Sequence, residues 1–118
     1  MTYKEAEALL GDNDCIALPE PYTRLRRESD RCIALYYESR PVLKWLWDGS
    51  YIIHFRGIAP TAAARDRVLG YGPGGVCLVT ESQDRWGFFH PQYNSAQWRH
   101  GIPGGLILNA DKTISAFE

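Results

Sequence analysis

The sequence lacks a long apolar segment, an excess of either charge and any regular pairing of cysteines. No apolar run approaches the roughly 18 residues of a membrane-spanning helix, so no membrane partner is expected. The formal net charge of −1 provides no general attraction to nucleic acid or anionic lipid. The opening residues do not have the charged-then-apolar layout of a signal peptide, and the 3 cysteines form no C-x-x-C motif. These absences predict a cytoplasmic protein with free, buried thiols.

Sequence signatures of common catalytic sites are also missing. There is no G-x-S-x-G elbow, no H-E-x-x-H motif and no Walker loop. The 3 histidines and 3 cysteines are not spaced as structural zinc ligands usually are. We therefore expect no catalytic residues, no metal and no cofactor, and we interpret the chain as a non-enzymatic protein.

One glycine-rich segment, GYGPGG at 70–75, matches the G-x-G-x-x-G spacing of dinucleotide-binding loops. Such loops follow a strand and open a helix, whose N-terminal amides face the pyrophosphate. Here the predicted order is reversed, because the glycines follow a predicted helix and precede a predicted strand. We interpret the segment as a helix C-cap and connector.

The pattern of the remaining sequence predicts one α+β domain over residues 1–118, rich in antiparallel hairpins, with two short helices. The helices are expected at about 2–10 and 61–69, with Thr2 and Thr61 as N-caps and Gly11 and Gly70 as stops. Strands are expected in TRLRRES, RCIALYY, VLKWLWDGS, SYIIHFR, VCLVT, RWGFF, GLILN and TISAF, with a polar turn over Glu81 to Asp84 and a loop over HPQYNSAQWRHGIPGG.

Asp48-Gly49 is the strongest hairpin signal, because type I′ turns favour Asp-Gly. A two-residue turn would place Trp47 opposite Ser50 and Trp45 opposite Ile52. Both faces of that hairpin would then be largely apolar, which predicts a sheet that is covered on both sides or exposes one side to a partner. A homodimer is one such arrangement, because monomers rarely expose large apolar patches.

A basic cluster and several aromatic residues are the candidate binding elements. The cluster comprises Arg24, Arg26, Arg27 and Arg31. Strand geometry places Arg24 and Arg26 on one face and Arg27 on the other. Together with Tyr22, Tyr36, Tyr37, Trp45 and Trp47, the cluster could bind nucleic acid, or it could form a solvated face whose arginines pair with nearby carboxylates.

A second candidate patch lies in the predicted loop, where Trp98 stands in polar sequence. Trp, Tyr and Arg are enriched in interface hot spots, so a protein-binding patch of Tyr93, Trp98 and Arg99 is one interpretation. Anchoring of the loop to the core is the other.

The segment PVLKWLWDGSYIIHFRG, the helix with Asp66-Arg67-Val68 and the following hairpin with Arg85-Trp86 resemble a family of small bacteriophage or mobile-element proteins. Those proteins carry a "V-V-T-F-H-P-D-G" turn, a Gly-Gly-Trp strand end, a "T-T-K-D-R-I-N" helix and a "G-x-W-Y-L" strand. This chain departs from the pattern at Arg56 and Ile58, and its helix aligns only with a one-residue shift. The resemblance covers about Thr23 to Phe89 and implies a phage or plasmid origin without an assigned catalytic activity. It also implies that the cytoplasm is that of an infected or host bacterium.

Three functions follow from these observations. The first is an accessory protein that binds and inhibits a host defence complex, as an anti-CRISPR protein does. The second is a nucleic-acid-binding accessory protein that uses the arginine and aromatic residues of a sheet face. The third is a small enzyme or nucleotide-sequestering protein.

Overall fold

Two antiparallel sheets and two helices make up the computed structural model, which describes residues 1–55, 62–82, 85–93, 98–102 and 104–117. In chain order the elements are α1 (Tyr3–Leu10), β1 (Cys15–Ala17), β2 (Thr23–Ser29), β3 (Cys32–Tyr37), β4 (Arg40–Leu46), β5 (Tyr51–His54), α2 (Ala62–Tyr71), β6 (Cys77–Ser82), β7 (Arg85–Phe89), β8 (Arg99–Ile102), β9 (Gly105–Leu108) and β10 (Ile114–Phe117). The predicted α+β class, β-rich with two short helices, is confirmed.

Both helices form where the sequence predicts them. The Thr2 hydroxyl accepts a hydrogen bond from the Glu5 amide and the Glu5 carboxylate accepts one from the Thr2 amide, so the capping box of α1 is confirmed. The second helix continues through Gly70 to Tyr71, which corrects the predicted stop at Gly70. The proposed cap Thr61 lies outside the described residues.

The larger sheet has seven strands in the order β1-β2-β3-β4-β5-β9-β10. The first five strands follow one another along the chain, and β9 then pairs with β5, Ile53 opposite Leu106. Alternation of side chains gives this sheet one apolar face. The buried members of that face include Thr23, Leu25, Ile33, Leu35, Leu43, Trp45, Ile53, Leu106, Leu108 and Ile114.

The hairpin of β4 and β5 forms at Asp48-Gly49, but its register differs by one residue from the expected one. Trp45 pairs with Tyr51 and Leu43 with Ile53, so the loop contains three residues. The Leu46 amide donates to the Ser50 carbonyl at 2.9 Å, and Gly49 has a φ of 94°. A type I turn followed by a left-handed residue has this geometry. Because of this shift, Trp45 lies on the same face as Tyr51 and Ile53. Trp45 and Ile53 are buried in the core, and half-buried Tyr51 packs against it.

The hairpin of β3 and β4 turns at Glu38 and Ser39, with φ values of 52° and 72°. Tyr37 pairs with Arg40, so this is a two-residue loop with two left-handed residues. Type I′ turns have this conformation and favour Asn and Gly, and the sequence carries neither here. The turn therefore lies directly after the predicted strand RCIALYY, and β4 begins at Arg40, two residues before the predicted strand VLKWLWDGS.

The smaller sheet contains β6, β7 and β8. The predicted hairpin of β6 and β7 is present, and residues 83–84 of its turn lie outside the described residues. Strand β8 corrects the expectation of an uninterrupted loop between Phe89 and Gly105. Its sequence, RHGI, has a glycine and one β-branched residue, which is a weak strand signal.

One cluster of buried side chains joins both sheets and both helices. Ala6 and Leu10 of α1 and Val68 of α2 belong to it. On the smaller sheet Trp86 and Phe88 are buried, and the Trp86 ring stacks on Phe55 with centroids 4.9 Å apart. The core therefore lies on one side of the seven-stranded sheet.

Candidate functional site

The opposite side of the seven-stranded sheet is the main candidate surface, here called the open face. Apart from Ala34 and Gly105, its described side chains are half-buried or exposed. It comprises Cys15, Ala17, Arg24, Arg26, Cys32, Ala34, Tyr36, Lys44, Leu46, Ile52, His54, Gly105, Ile107, Ser115 and Phe117. Of the two arrangements that the sequence predicts, the described residues therefore show the sheet with one side exposed.

At one end of the open face, two arginines border a shallow depression of about 360 Å³ lined by Cys15, Arg24, Arg26, Tyr36 and Ser39. Arg24 and Arg26 are exposed on the same side of β2, as the strand alternation predicts. The guanidinium carbon of Arg26 lies 5.8 Å from the centre of the Tyr36 ring. The Tyr36 hydroxyl donates to the Glu28 carboxylate, which raises the pKa of Tyr36. This end is therefore basic and partly aromatic.

The other end of the open face is more apolar. Ile52 pairs with Ile107, and both side chains are half-buried. Phe117 lies over Gly105, and its ring meets His54 edge-on with centroids 5.7 Å apart. Half-buried apolar side chains on neighbouring strands form a surface that loses water when a partner covers it.

The other two arginines of the predicted cluster point elsewhere. Arg27 faces α1, where its guanidinium donates to the Gly11 carbonyl at 3.2 Å and lies 3.8 Å from the Glu7 carboxylate. Arg31 lies in the turn after β2, over the ring of Trp47 at 5.2 Å. The structure thus divides the predicted cluster. Arg24 and Arg26 lie on the open face, whereas Arg27 contacts α1 and Arg31 contacts Trp47 from a turn.

The aromatic members of the cluster are also divided. Trp45 is 1% exposed, so its expected place among surface rings is corrected. Tyr37 is half-buried beneath Arg67, at 5.1 Å. Trp47 and Tyr22 are exposed, at 60% and 76%. Tyr36 is therefore the ring that lies beside the exposed arginine pair.

The second predicted patch is only partly at the surface. Tyr93 is 2% exposed and meets the His90 ring edge-on at 4.8 Å, which corrects its expected role in a surface patch. Trp98 is 45% exposed and stacks between Phe89 and His100, with centroid distances of 5.4 Å and 6.2 Å. Arg99 is half-buried on β8. Trp98 thus forms a smaller aromatic surface, separate from the open face.

A carboxylate–imidazole pair borders this aromatic surface. The Glu81 carboxylate contacts His100 Nδ1 at 2.5 Å and accepts a hydrogen bond from the Gly101 amide at 2.6 Å. These contacts lower the pKa of Glu81, the His100 hydrogen bond most. The His100 side chain is 68% exposed. The His100 ring is therefore open to water, which is unlike the enclosed setting of a general acid or base.

The glycine-rich segment has a structural environment. It begins in the last turn of α2, at Gly70 and Tyr71, and precedes β6, and His90 holds it in place. His90 is 3% exposed; its Nδ1 accepts from the Gln92 amide at 3.0 Å and its Nε2 lies 2.6 Å from the Gly74 carbonyl. The neutral ring with its proton on Nε2 satisfies both contacts. The segment therefore serves as an anchored connector.

The cysteines are free, as predicted, but they are not all buried. Cys15 and Cys77 are exposed and Cys32 is half-buried. Burial raises the pKa of the Cys32 thiol, which favours its neutral form. The expected burial of Cys15 and Cys77 is corrected, since each lies on the outward face of its strand.

Arg67 has a structural role that the sequence does not indicate. Its guanidinium donates to the Thr23 hydroxyl at 3.0 Å and to the Pro21 carbonyl at 3.2 Å. Tyr71, one turn later, donates to the Glu20 carboxylate, and burial together with this bond raises the pKa of Tyr71 to about 12. These contacts fasten α2 to the segment before β2.

None of the helices that the structure describes is long and apolar enough to cross a membrane. Comparison of the chain with protein-family models, with curated proteins and with solved structures finds no match.

Proposed function

We propose that this chain is a non-enzymatic accessory protein of phage or mobile-element origin that binds a host protein complex through the open face and inhibits it. The open face carries the proposal, because its half-buried apolar rows are bordered by exposed basic residues. Protein interfaces commonly combine an apolar centre with a polar rim. Ile52 and Ile107 would occupy the centre of the contact, and Arg24 and Arg26 its rim.

The partner class that we propose is a host defence complex, such as a CRISPR effector. The resemblance to phage proteins supports this choice. The isolated Glu81–His100 pair is exposed, and it offers no enclosed site that would favour an enzyme. Inhibition by occlusion needs only a stable contact that covers a working surface of the target.

The proposal is tested by affinity capture from bacteria with active defence systems, with nuclease treatment and mass spectrometry. Wild type, Ile107→Glu and Arg85→Ala are compared, the last as a control on the other sheet. We expect wild type and Arg85→Ala to retain a stoichiometric host complex, and Ile107→Glu to lose it while keeping its circular dichroism spectrum. Equal capture by all three, or no stoichiometric complex with wild type, would refute a role for the open face.

Nucleic-acid binding is the second candidate function. The observation that favours it is the exposed Arg24 and Arg26 pair beside the Tyr36 ring, since ssDNA-binding surfaces combine cations with aromatic rings. Such binding would weaken steeply as salt rises, because each neutralised phosphate releases counterions. A single-stranded oligonucleotide titrated at several salt concentrations tests it, and an affinity that does not change with salt excludes it.

A further inference from the structure

The depression at the basic end of the open face has features of an oxyanion site. Arg24 and Arg26 are two positions apart on one strand, so their Cα atoms are roughly 7 Å apart and their side chains emerge side by side. Two neighbouring guanidinium groups repel each other unless an anion lies between them. The separation allows one tetrahedral anion to meet both groups.

The two arginines retain free hydrogen-bonding capacity. Within the described ranges, neither Arg24 nor Arg26 forms an ion pair, although Arg27 on the opposite face pairs with Glu7. Of the described residues that line the depression, none is acidic. The Glu28 carboxylate, farther along β2, is engaged by the Tyr36 hydroxyl. The Arg24 guanidinium is thus available to an external acceptor, and Arg26, which lies against the Tyr36 ring and interacts with the Tyr36 hydroxyl, keeps further N–H donors.

The remaining lining groups suit the same ligand. Ser39, a hydroxyl-bearing residue, and Cys15 also line the depression. Ser39 is held there by the turn in which it and Glu38 both have positive φ. The depression, of about 360 Å³, is open to solvent, so a ligand larger than a bare phosphate ion can extend out of it.

From this geometry we propose that the depression binds the phosphate group of a small phosphorylated molecule, with Arg24 and Arg26 as its two guanidinium ligands. Arginine is suited to this role because its planar fork forms paired hydrogen bonds to phosphate oxygens. The Ser39 hydroxyl adds a neutral donor, and the exposed part of the Tyr36 ring borders the space for the remainder of the ligand. This site goes beyond the proposed partner binding and does not depend on it.

The test is an NMR titration of the purified, ¹⁵N-labelled chain, following the arginine Nε–Hε signals at constant ionic strength. Three probes are compared: inorganic phosphate, adenosine monophosphate and a single-stranded oligonucleotide. Signals of Arg24 and Arg26 are assigned with the Arg24→Lys and Arg26→Lys variants. We expect saturable shifts of both signals with phosphate and with the monophosphate, and smaller shifts with chloride at matched ionic strength.

Variants distinguish a built site from general attraction of anions. Arg24→Ala should weaken monophosphate binding about tenfold or more, Arg24→Lys less, and Arg85→Ala, which removes the same charge from the other sheet, should leave it unchanged. Equal weakening by Arg85→Ala, unsaturable shifts, or saturable binding of the oligonucleotide alone would overturn the proposal. Ile107→Glu should keep phosphate binding even if it loses the host complex, so the two proposals can fail separately.

Discussion

His54 stands out at the scale of single residues, because its Nε2 is buried without a hydrogen-bond partner in the described part of the chain. Burial lowers the pKa of His54, and the nearby Lys44 charge lowers it further. The imidazole is therefore neutral in the folded protein at pH values where the unfolded chain already binds a proton. Protonation thus favours the unfolded state.

The sign of the resulting pH dependence follows from linkage. The free energy of unfolding is fully retained above the unfolded pKa of about 6.5 and decreases as the pH falls from there toward the lower folded pKa. We expect denaturant unfolding to show a larger loss between pH 7.5 and pH 5.5 in wild type than in His54→Leu. The exposed His100→Gln variant is the control. An identical loss in wild type and His54→Leu would show that His54 does not contribute.

The turn at Glu38 and Ser39 gives a second prediction for single residues. Both residues adopt left-handed conformations that cost side chains with a Cβ, and Asn-Gly is the preferred pair for this turn. Replacing Glu38→Asn and Ser39→Gly together should raise the free energy of unfolding by about 1 kcal/mol. The measurement is the urea midpoint at unchanged m-value. A midpoint at or below that of wild type would indicate that the turn carries no such strain.

Two glycines allow a matched comparison at the scale of secondary-structure elements. Gly70 lies inside α2 with open space where a Cβ would stand, whereas a Cβ at Gly105 of β9 would lie 2.3 Å from the Ile53 carbonyl oxygen and 2.4 Å from the Phe117 ring. Gly70→Ala should stabilise the protein by about 0.5–1 kcal/mol, through helix propensity. Gly105→Ala should destabilise it by about 2–3 kcal/mol or more, because backbone cannot move aside cheaply.

Thermal unfolding of the two alanine variants beside wild type measures this difference. The same substitution is made in both, so general effects of adding a methyl group cancel in the comparison. We expect Gly70→Ala to raise the melting temperature and Gly105→Ala to lower it. If Gly105→Ala melts at or above wild type, then β9 is not packed against β5 and Phe117 as described.

The helices and strands also show which parts of the fold the sequence predicts. Capping signals correctly placed the start of α1, and apolar runs located most strands, because these signals act locally. The register of the β4–β5 hairpin was wrong by one residue, since Asp-Gly fits both a two-residue and a three-residue loop. Strand β8 was missed because RHGI becomes a strand only through pairing with β7.

Part of the candidate site was predictable, because the alternation of side chains along a strand is also a local signal. Alternation along β2 correctly placed Arg24 and Arg26 together, which needs no knowledge of the fold. Arg27 lies toward Glu7, and Tyr93 is buried in the core. Both positions depend on contacts between elements that are distant in sequence, which a local pattern does not reveal. The Glu38-Ser39 turn was not predicted, since its residues are not those that left-handed turns usually contain.

At the scale of the whole molecule, the continuous core predicts cooperative unfolding. The buried cluster includes Leu106 of the large sheet and Phe88 of the small one, so neither sheet has a separate interior. Tryptophan fluorescence, which reports partly on Trp86, and far-ultraviolet circular dichroism should therefore give coincident transitions. Phe88→Ala should lower the free energy of unfolding by about 3–5 kcal/mol and shift both curves together. Separate transitions would show that the sheets unfold independently.

The pairing of β9 with β5 has a consequence for synthesis of the chain. Strands β1 to β5 form successive hairpins, yet the edge of β5 is filled only by β9, whose Leu106 pairs with Ile53. While the ribosome adds the intervening residues, at about 5–20 residues per second, β5 presents unpaired amide and carbonyl groups for several seconds. A nascent chain in this state can pair with another nascent chain at the same edge. Expression at high level, which raises the concentration of nascent chains, should therefore favour aggregation, and slower elongation should increase it by prolonging the exposure of the β5 edge.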